Sequence, residues 1–275
     1  MAEDRAGTED LVHYDVADGV ATVTLHNPAR KNAWSLAMEH QYFTRLDDAA
    51  ADRAVRAIVV TGAESAFCPG MDVAALEQTA AAGELVRAGR RPMHHALTIP
   101  KPMIAAINGA CAGIGLIQTL YCDLRFAARG ARMSTSFTRR GLGAEYGTSW
   151  MLPRLVGVER ALDLLLSGRT FDADEAHRMG LVGRLCEPDE VLRDAQAYAA
   201  DLARYASPRA MAAVRHQVYA DLGDDFETSW VRTLAIMQRM NSLPDFVEGV
   251  ASFVERRDPN FGPLPPEFAD ELRAE

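Results

Sequence analysis

Apolar residues alternate with polar ones in Val12-His-Tyr-Asp-Val16 and in Val20-Ala-Thr-Val-Thr-Leu25, which predicts two strands. Asp18-Gly19 between them predicts a tight hairpin turn. Asn27-Pro28 ends this ladder, because proline has no N–H to give it. From Ser35 to Ala51 the apolar spacing turns helical, with Ser35 as the N-cap and Glu39 nearby. The apolar runs Ala57-Ile-Val-Val-Thr61, stopped by Gly62, and Met103-Ile-Ala-Ala-Ile107 predict buried strands. Residues 73 to 98, rich in alanine and charge, predict helix broken at Gly83 and Pro92. A helix from about 115 and a strand near Leu124-Arg-Phe-Ala-Ala128 follow. Pro153 onward is mostly helical, with caps at Asp172 and Pro188 and a last long stretch from Ser207 to about Arg257. Strands alternating with helices in this order predict stacked ββα units and an α/β core. The expected division is a core over 1–200 and a helical region over 201–275.

Composition narrows the function. The 275 residues suffice for one large domain, and 48% hydrophobic with 24% charged residues is ordinary for a globular chain. A net charge of −9 argues against nucleic acid as a partner, since phosphates need a basic face. Cys68, Cys111, Cys122 and Cys186 are scattered, with no CxxC pair and no metal-like spacing, which predicts free thiols in a reducing compartment and no metal. Met1 to Asp10 is polar and acidic, and no apolar run reaches membrane-spanning length. The expectation is a cytoplasmic protein without a membrane partner.

Two glycine-bearing stretches carry the chemistry: Ser65-Ala-Phe-Cys-Pro-Gly-Met-Asp72 and Asn108-Gly-Ala-Cys-Ala-Gly-Ile-Gly115. Glycine lets backbone approach a ligand closely, and the second stretch runs into an apolar helical start that adds partial positive charge. Together with Asp123 they resemble the crotonase (enoyl-CoA hydratase/isomerase) superfamily, over about residues 11 to 262. The resemblance implies the ClpP-like crotonase fold of repeated ββα units, with a C-terminal helical region that builds a homotrimer, often paired into a hexamer. It implies an acyl-CoA substrate whose thioester oxygen is held by the backbone N–H groups of Met71 and Ile114, with Gly113 shaping the second turn. Coenzyme A enters as part of the substrate and no separate cofactor is expected. Arg30, Lys31 and Ala33 match the segment along the pantetheine and phosphates, and Met71, Asp72, Val73 and Ala74 the adenine side. Phe253 and Arg256 match the tail residues that reach CoA, often from a neighbouring subunit, by stacking and by an Arg–phosphate pair. Solvated surface charge is the other reading of Arg30, Lys31 and Arg256.

Hydratases of this superfamily use two glutamates, and here those positions hold Ile117 and Phe137, which move no proton. One acid remains in the segment: Glu145 of Gly141-Leu-Gly-Ala-Glu-Tyr-Gly147, eight residues beyond Phe137. Isomerases of the superfamily carry an aspartate there, as does a dehalogenase in which it is the nucleophile. The resemblance therefore implies Glu145 as the single acid/base of a double-bond isomerisation, its pKa raised by burial beside Phe137 and Trp150. One-carboxylate hydration, hydrolysis of a CoA thioester and a non-catalytic acyl-CoA-binding protein are the alternatives. A plainer reading pairs Glu145 with Arg139 or Arg140. Tyr146 is a candidate donor to substrate or to Glu145, and His94 and His95 are candidates to line the acyl cavity. Arg90 stands where the dehalogenase has its base, and cannot act as one. Gln118 is a structural residue or a water-orienting one, and Asp123 is expected to satisfy backbone or pair with Arg125.

Overall fold

The computed structural model describes residues 10–82 and 90–273. The expected break at Gly83 and the polar segment 1–9 lie outside them. β1 (Val12–Ala17) and β2 (Val20–Leu25) pair antiparallel around Asp18 and Gly19, both at positive φ (51° and 75°). α1 (Leu36–Ala51) begins where the Ser35 hydroxyl accepts from the Met38 N–H, and it buries Met38, Tyr42, Phe43, Leu46 and Ala49 along one face.

A ββα unit then recurs. β3 (Ala57–Gly62) and β4 (Ala66–Cys68) lead to α2 (Val73–Ala82). β5 (Met103–Ile107) and β6 (Ala110–Ala112) lead to α3 (Ile114–Leu120). β7 (Leu124–Ala128) and β8 (Arg132–Ser134) lead to α4 (Thr148–Val156) and α5 (Val158–Ser167). β9 (Thr170–Asp172), α6 (Ala173–Arg178) and β10 (Arg184–Cys186) close the core. The first strand of each unit joins a six-stranded sheet ordered β1-β2-β3-β5-β7-β10, and the second joins a four-stranded sheet ordered β4-β6-β8-β9. β3 and β5 are buried along their whole length, as continuous apolar strands covered on both faces must be. β4 and β6 are parallel neighbours with Cys68 opposite Cys111, so the turns that follow them emerge side by side. That placement creates the site.

α7 (Val191–Tyr205) lies on the large sheet through Val191, Ala195, Ala199 and Ala203. Beyond Ser207, α8 (Pro208–Asp221), α9 (Phe226–Asn241), α10 (Pro244–Glu255) and α11 (Phe268–Arg273) gather a separate apolar cluster of Ala212, Ala213, Ile236, Leu264, Phe268 and Leu272. The change of core therefore falls after α7. Asp123 ties the two parts together: its carboxylate accepts from the Met103 N–H (2.7 Å), Arg215 Nε (2.9 Å) and the Tyr219 hydroxyl (2.9 Å). The expected Asp123–Arg125 pair does not form, because Arg125 gives its N–H groups to the carbonyls of Leu181, Thr119 and Cys122.

Other expectations shift in detail. Met93–Thr98 is a 3-10 helix, and α7 is capped at Glu190, two residues after Pro188. Asp172 caps α6 as expected, accepting from the Glu175 N–H at 2.8 Å.

Gly115 shows how tightly the site's frame is built. A Cβ there would stand 2.3 Å from the Cys68 carbonyl oxygen, which is strand backbone and cannot swing aside. Gly115→Ala is expected to cost about 1–3 kcal/mol of stability by overpacking, read as a lowered midpoint in chemical denaturation.

Candidate active site

Gly70 (φ +118°) and Gly113 (φ +49°, ψ −121°) hold conformations closed to residues with a Cβ. A Cβ on Gly113 would lie 3.8 Å from the Gly70 Cα, so the two turns touch. Around Met71 the Trp34 N–H donates to the Gly70 carbonyl (2.8 Å) and the Asp72 N–H to the Trp34 carbonyl (2.9 Å). The Met71 N–H between them is left out of the bridge. Gly113 donates to the Ser134 carbonyl at 3.0 Å, and Ile114 is the first residue of α3, where an N–H has no acceptor within the helix. Among the described residues, no hydrogen bond uses the Met71 or Ile114 N–H. Two unspent donors on adjacent strand ends are what an oxyanion needs.

Glu145 sits in the segment that enters α4, half-buried, and its carboxylate makes no hydrogen bond or ion pair among the described residues. Burial pushes its carboxyl above the ordinary glutamate value. The pairing considered with Arg139 or Arg140 is not formed: Arg139 Nε donates to the Ser167 carbonyl (2.9 Å), and the described residues show no Arg140–Glu145 contact. The Glu145 backbone is fixed, since its carbonyl accepts from the N–H (3.0 Å) and hydroxyl (2.7 Å) of Thr148. Tyr146 follows at φ +48°, its carbonyl bound by the Tyr121 hydroxyl. Ile117 and Phe137 are 1% and 5% exposed and carry no proton to give. Trp150, expected to help bury Glu145, is itself 39% exposed, and the Arg154 guanidinium covers one ring face, 3.8 Å from the centroid.

The family model for enoyl-CoA hydratase/isomerase matches residues 15–263 of this chain. The chain belongs to the enoyl-CoA hydratase/isomerase family. It is 36% identical over 255 residues to a Rhodobacter capsulatus protein named "Probable enoyl-CoA hydratase", covering 91% of this chain and 97% of the relative. It is 31% identical over 255 residues to the 1,2-epoxyphenylacetyl-CoA isomerase of Escherichia coli K12, covering 90% and 96%. The crystal structure of an enoyl-CoA hydratase from Bacillus anthracis superposes with a TM-score of 0.85 at 28% identity, over 92% of this chain and 99% of that one.

Within this enoyl-CoA hydratase/isomerase family chain, the residues expected along CoA come together in part. Arg30 and Asp72 form an ion pair (2.6 Å) that joins the two segments, and the Arg30 hydrogen bond holds the Asp72 carboxyl below its ordinary range. Lys31 is exposed at φ +53°, Ala33 is half-buried, and Val73 and Ala74 are exposed at the start of α2. Phe253 is 84% exposed on α10 and Arg256 caps that helix. Among the described residues no hydrogen bond or ring contact joins either of them to Met71, Ile114 or Glu145. His94 is exposed, and His95 is turned onto α1 with Nε2 2.6 Å from Asp47 Oδ1. Gln118 is buried and donates to the Met93 carbonyl (3.3 Å), a framework contact.

Sequence reasoning missed two framing asparagines. Buried Asn32, at φ +62°, accepts from the Asn27 N–H (2.8 Å) and donates to the carbonyls of Ala63 (2.9 Å) and Ala66 (2.8 Å), locking the Arg30–Lys31 loop onto β4. Asn108 does the same for the second motif, donating to the Gly62 carbonyl (2.8 Å) and accepting from the Gly62 N–H (3.2 Å). Only Asn32 carried a local signal, the tolerance of asparagine for left-handed backbone; the carbonyl partners of both lie more than 30 positions away in the chain. Glu39 was also missed. Its carboxylate is buried, accepts from Trp34 Nε1 (3.1 Å) and holds Arg90 in a bidentate pair (2.7 and 2.6 Å).

Proposed function

We propose that this chain isomerises a double bond in an acyl-CoA thioester, with Glu145 as the single acid/base. What supports the reading is that the Met71 and Ile114 N–H groups and the half-buried Glu145 carboxylate are all without a partner among the described residues, while Ile117 and Phe137, which by the resemblance stand where a hydratase has its two acids, are apolar. The thioester oxygen accepts from the Met71 and Ile114 N–H groups. Glu145 takes a proton from Cα of a 3-enoyl ester, the electron pair spreads over Cα, Cγ and the thioester oxygen, and the protonated carboxyl returns its proton at Cγ. The carboxylate ends as it began, as a 1,3-shuttle requires. A raised carboxyl suits it to both halves of that cycle. That one relative is named an epoxyphenylacetyl-CoA isomerase supports isomerisation.

The reading extends to CoA and to assembly. Arg30, Lys31 and the 71–74 segment form the chain's own CoA edge, and Phe253 and Arg256 serve a neighbouring subunit's CoA. Phe226, Trp230, Val231, Val247, Phe253 and Val254 leave α9 and α10 with a broad exposed apolar face. Such a face suits a homotrimer, alone or as half of a hexamer.

The test is product identity. A 3-enoyl-CoA ester incubated with the protein is expected to give the 2-enoyl isomer as the first product by NMR. A 3-hydroxyacyl ester formed from 2-enoyl-CoA at a comparable rate would make it a hydratase, and free CoA release would make it a hydrolase.

A further inference from the structure

A cavity of about 620 Å³ lies at the far end of α3 from the oxyanion donor. α3 starts at Ile114 and brings Leu120 to this cavity, and six residues of helical rise put the two about 9 Å apart. Met71, Ile114 and Glu145 do not line it. Its volume is that of a small-molecule site. The walls are apolar: Leu120, Leu155 and Met211 face it, and Val214 and Val218 stand one turn apart on α8 as an exposed rim.

Charge is the part that packing does not explain. The charged side chains lining the cavity are Asp123, Arg125, Arg154 and Arg215. Asp123 is spent on Arg215, whose Nε lies 2.9 and 3.0 Å from its two oxygens. Two guanidiniums remain for no carboxylate, in a chain of net charge −9. Arg125 is 9% exposed. Its Nε donates to the Leu181 carbonyl (2.7 Å) and its Nη1 to those of Thr119 (3.2 Å) and Cys122 (2.8 Å), which secures the end of α3. Its Nη2 makes no hydrogen bond among the described residues. A buried donor left unpaired is costly, and more so on a cation. Arg154 is exposed, gives Nη1 to the Trp150 carbonyl (2.9 Å) and sits over the Trp150 ring; it makes no ion pair among the described residues.

We propose that this cavity binds a single-chain fatty carboxylate, its head on Arg125 and Arg154 and its chain along the apolar walls. A slim amphiphile can reach a guanidinium that is nine-tenths buried, whereas a broad protein face would cover the Val214–Val218 rim without meeting it. The site is separate from the thioester site and stands whether or not Glu145 is the acid/base.

Calorimetric titration of the full chain with octanoate, decanoate and dodecanoate at neutral pH tests it. One ligand per chain is expected, with affinity rising about fourfold per methylene, the gain from burying one CH2. Decanol keeps the chain and loses the charge, and is expected to bind at least about tenfold more weakly than decanoate. Arg125 also holds three carbonyls, so the variants are placed at Arg154 and Val218, both exposed. Arg154→Gln is expected to weaken decanoate by about tenfold. Val218→Glu sets a like charge beside the head and is expected to abolish binding. A saturating CoA ester should leave decanoate binding unchanged.

No saturable binding of any of the three acids would overturn the proposal, as would binding that Arg154→Gln and Val218→Glu leave intact. Displacement by the CoA ester would place the carboxylate in the acyl site and overturn it too. A wild type that binds no acid, with an oligomer that Val218→Glu breaks, would make the rim a contact between copies instead.

Discussion

Glu145→Gln is expected to lower turnover by about two to four orders of magnitude while affinity for CoA esters stays within a few fold. Glutamine keeps the side chain's shape but accepts no proton, and the wild-type carboxylate has no partner among the described residues whose loss could disturb the fold. The pH profile should change as well. A base works deprotonated, and burial places the Glu145 carboxyl above its ordinary value. In the wild type kcat/KM therefore rises with pH through that raised pKa and falls away below it. In Glu145→Gln the rising limb disappears with the activity. Steady-state kinetics over a pH series, with CoA-ester binding measured separately, reads both effects.

Ile114→Pro is the second large effect. Proline removes one N–H and nothing else from the backbone inventory. At the first residue of a helix that loss is structurally mild, because the N–H has no helical acceptor and proline's φ already suits the position. The variant should fold with α3 in place. It should lose about 100- to 1,000-fold in kcat, the cost of deleting one oxyanion donor. Ile114→Ala, which keeps the N–H and only trims a buried side chain, should retain most of kcat. Equal losses in both variants would mean that packing, not the donor, matters at this position.

The large sheet was legible because its strands announce themselves. Val20–Leu25 alternates apolar with polar residues, Ala57–Gly62 and Met103–Ile107 are apolar runs, and each strand appears where the pattern put it. The small sheet was less so. β4, β6, β8 and β9 have three residues each, too short to display a period, and they exist because longer strands and helices place them side by side. The two glycine motifs were readable because glycine at such φ values reports a backbone demand. Asn32 and Asn108 were not, since an asparagine's main-chain partners are fixed only once β3, β4 and β5 are assembled. Arg90 was visible as a residue unfit to be a base. Its partner Glu39 lies 51 positions away, and no local pattern joins them.

The most direct test of the account is site-resolved deuterium entry by NMR. Wild type and Glu145→Gln would each be incubated in D2O with 3-enoyl, 2-enoyl and saturated aryl-acyl CoA esters. The account predicts deuterium at Cα or Cγ with the wild type, and exchange lowered by two or more orders of magnitude in Glu145→Gln. Undiminished exchange in the variant, or no exchange with any ester despite measurable CoA-ester binding, would contradict it.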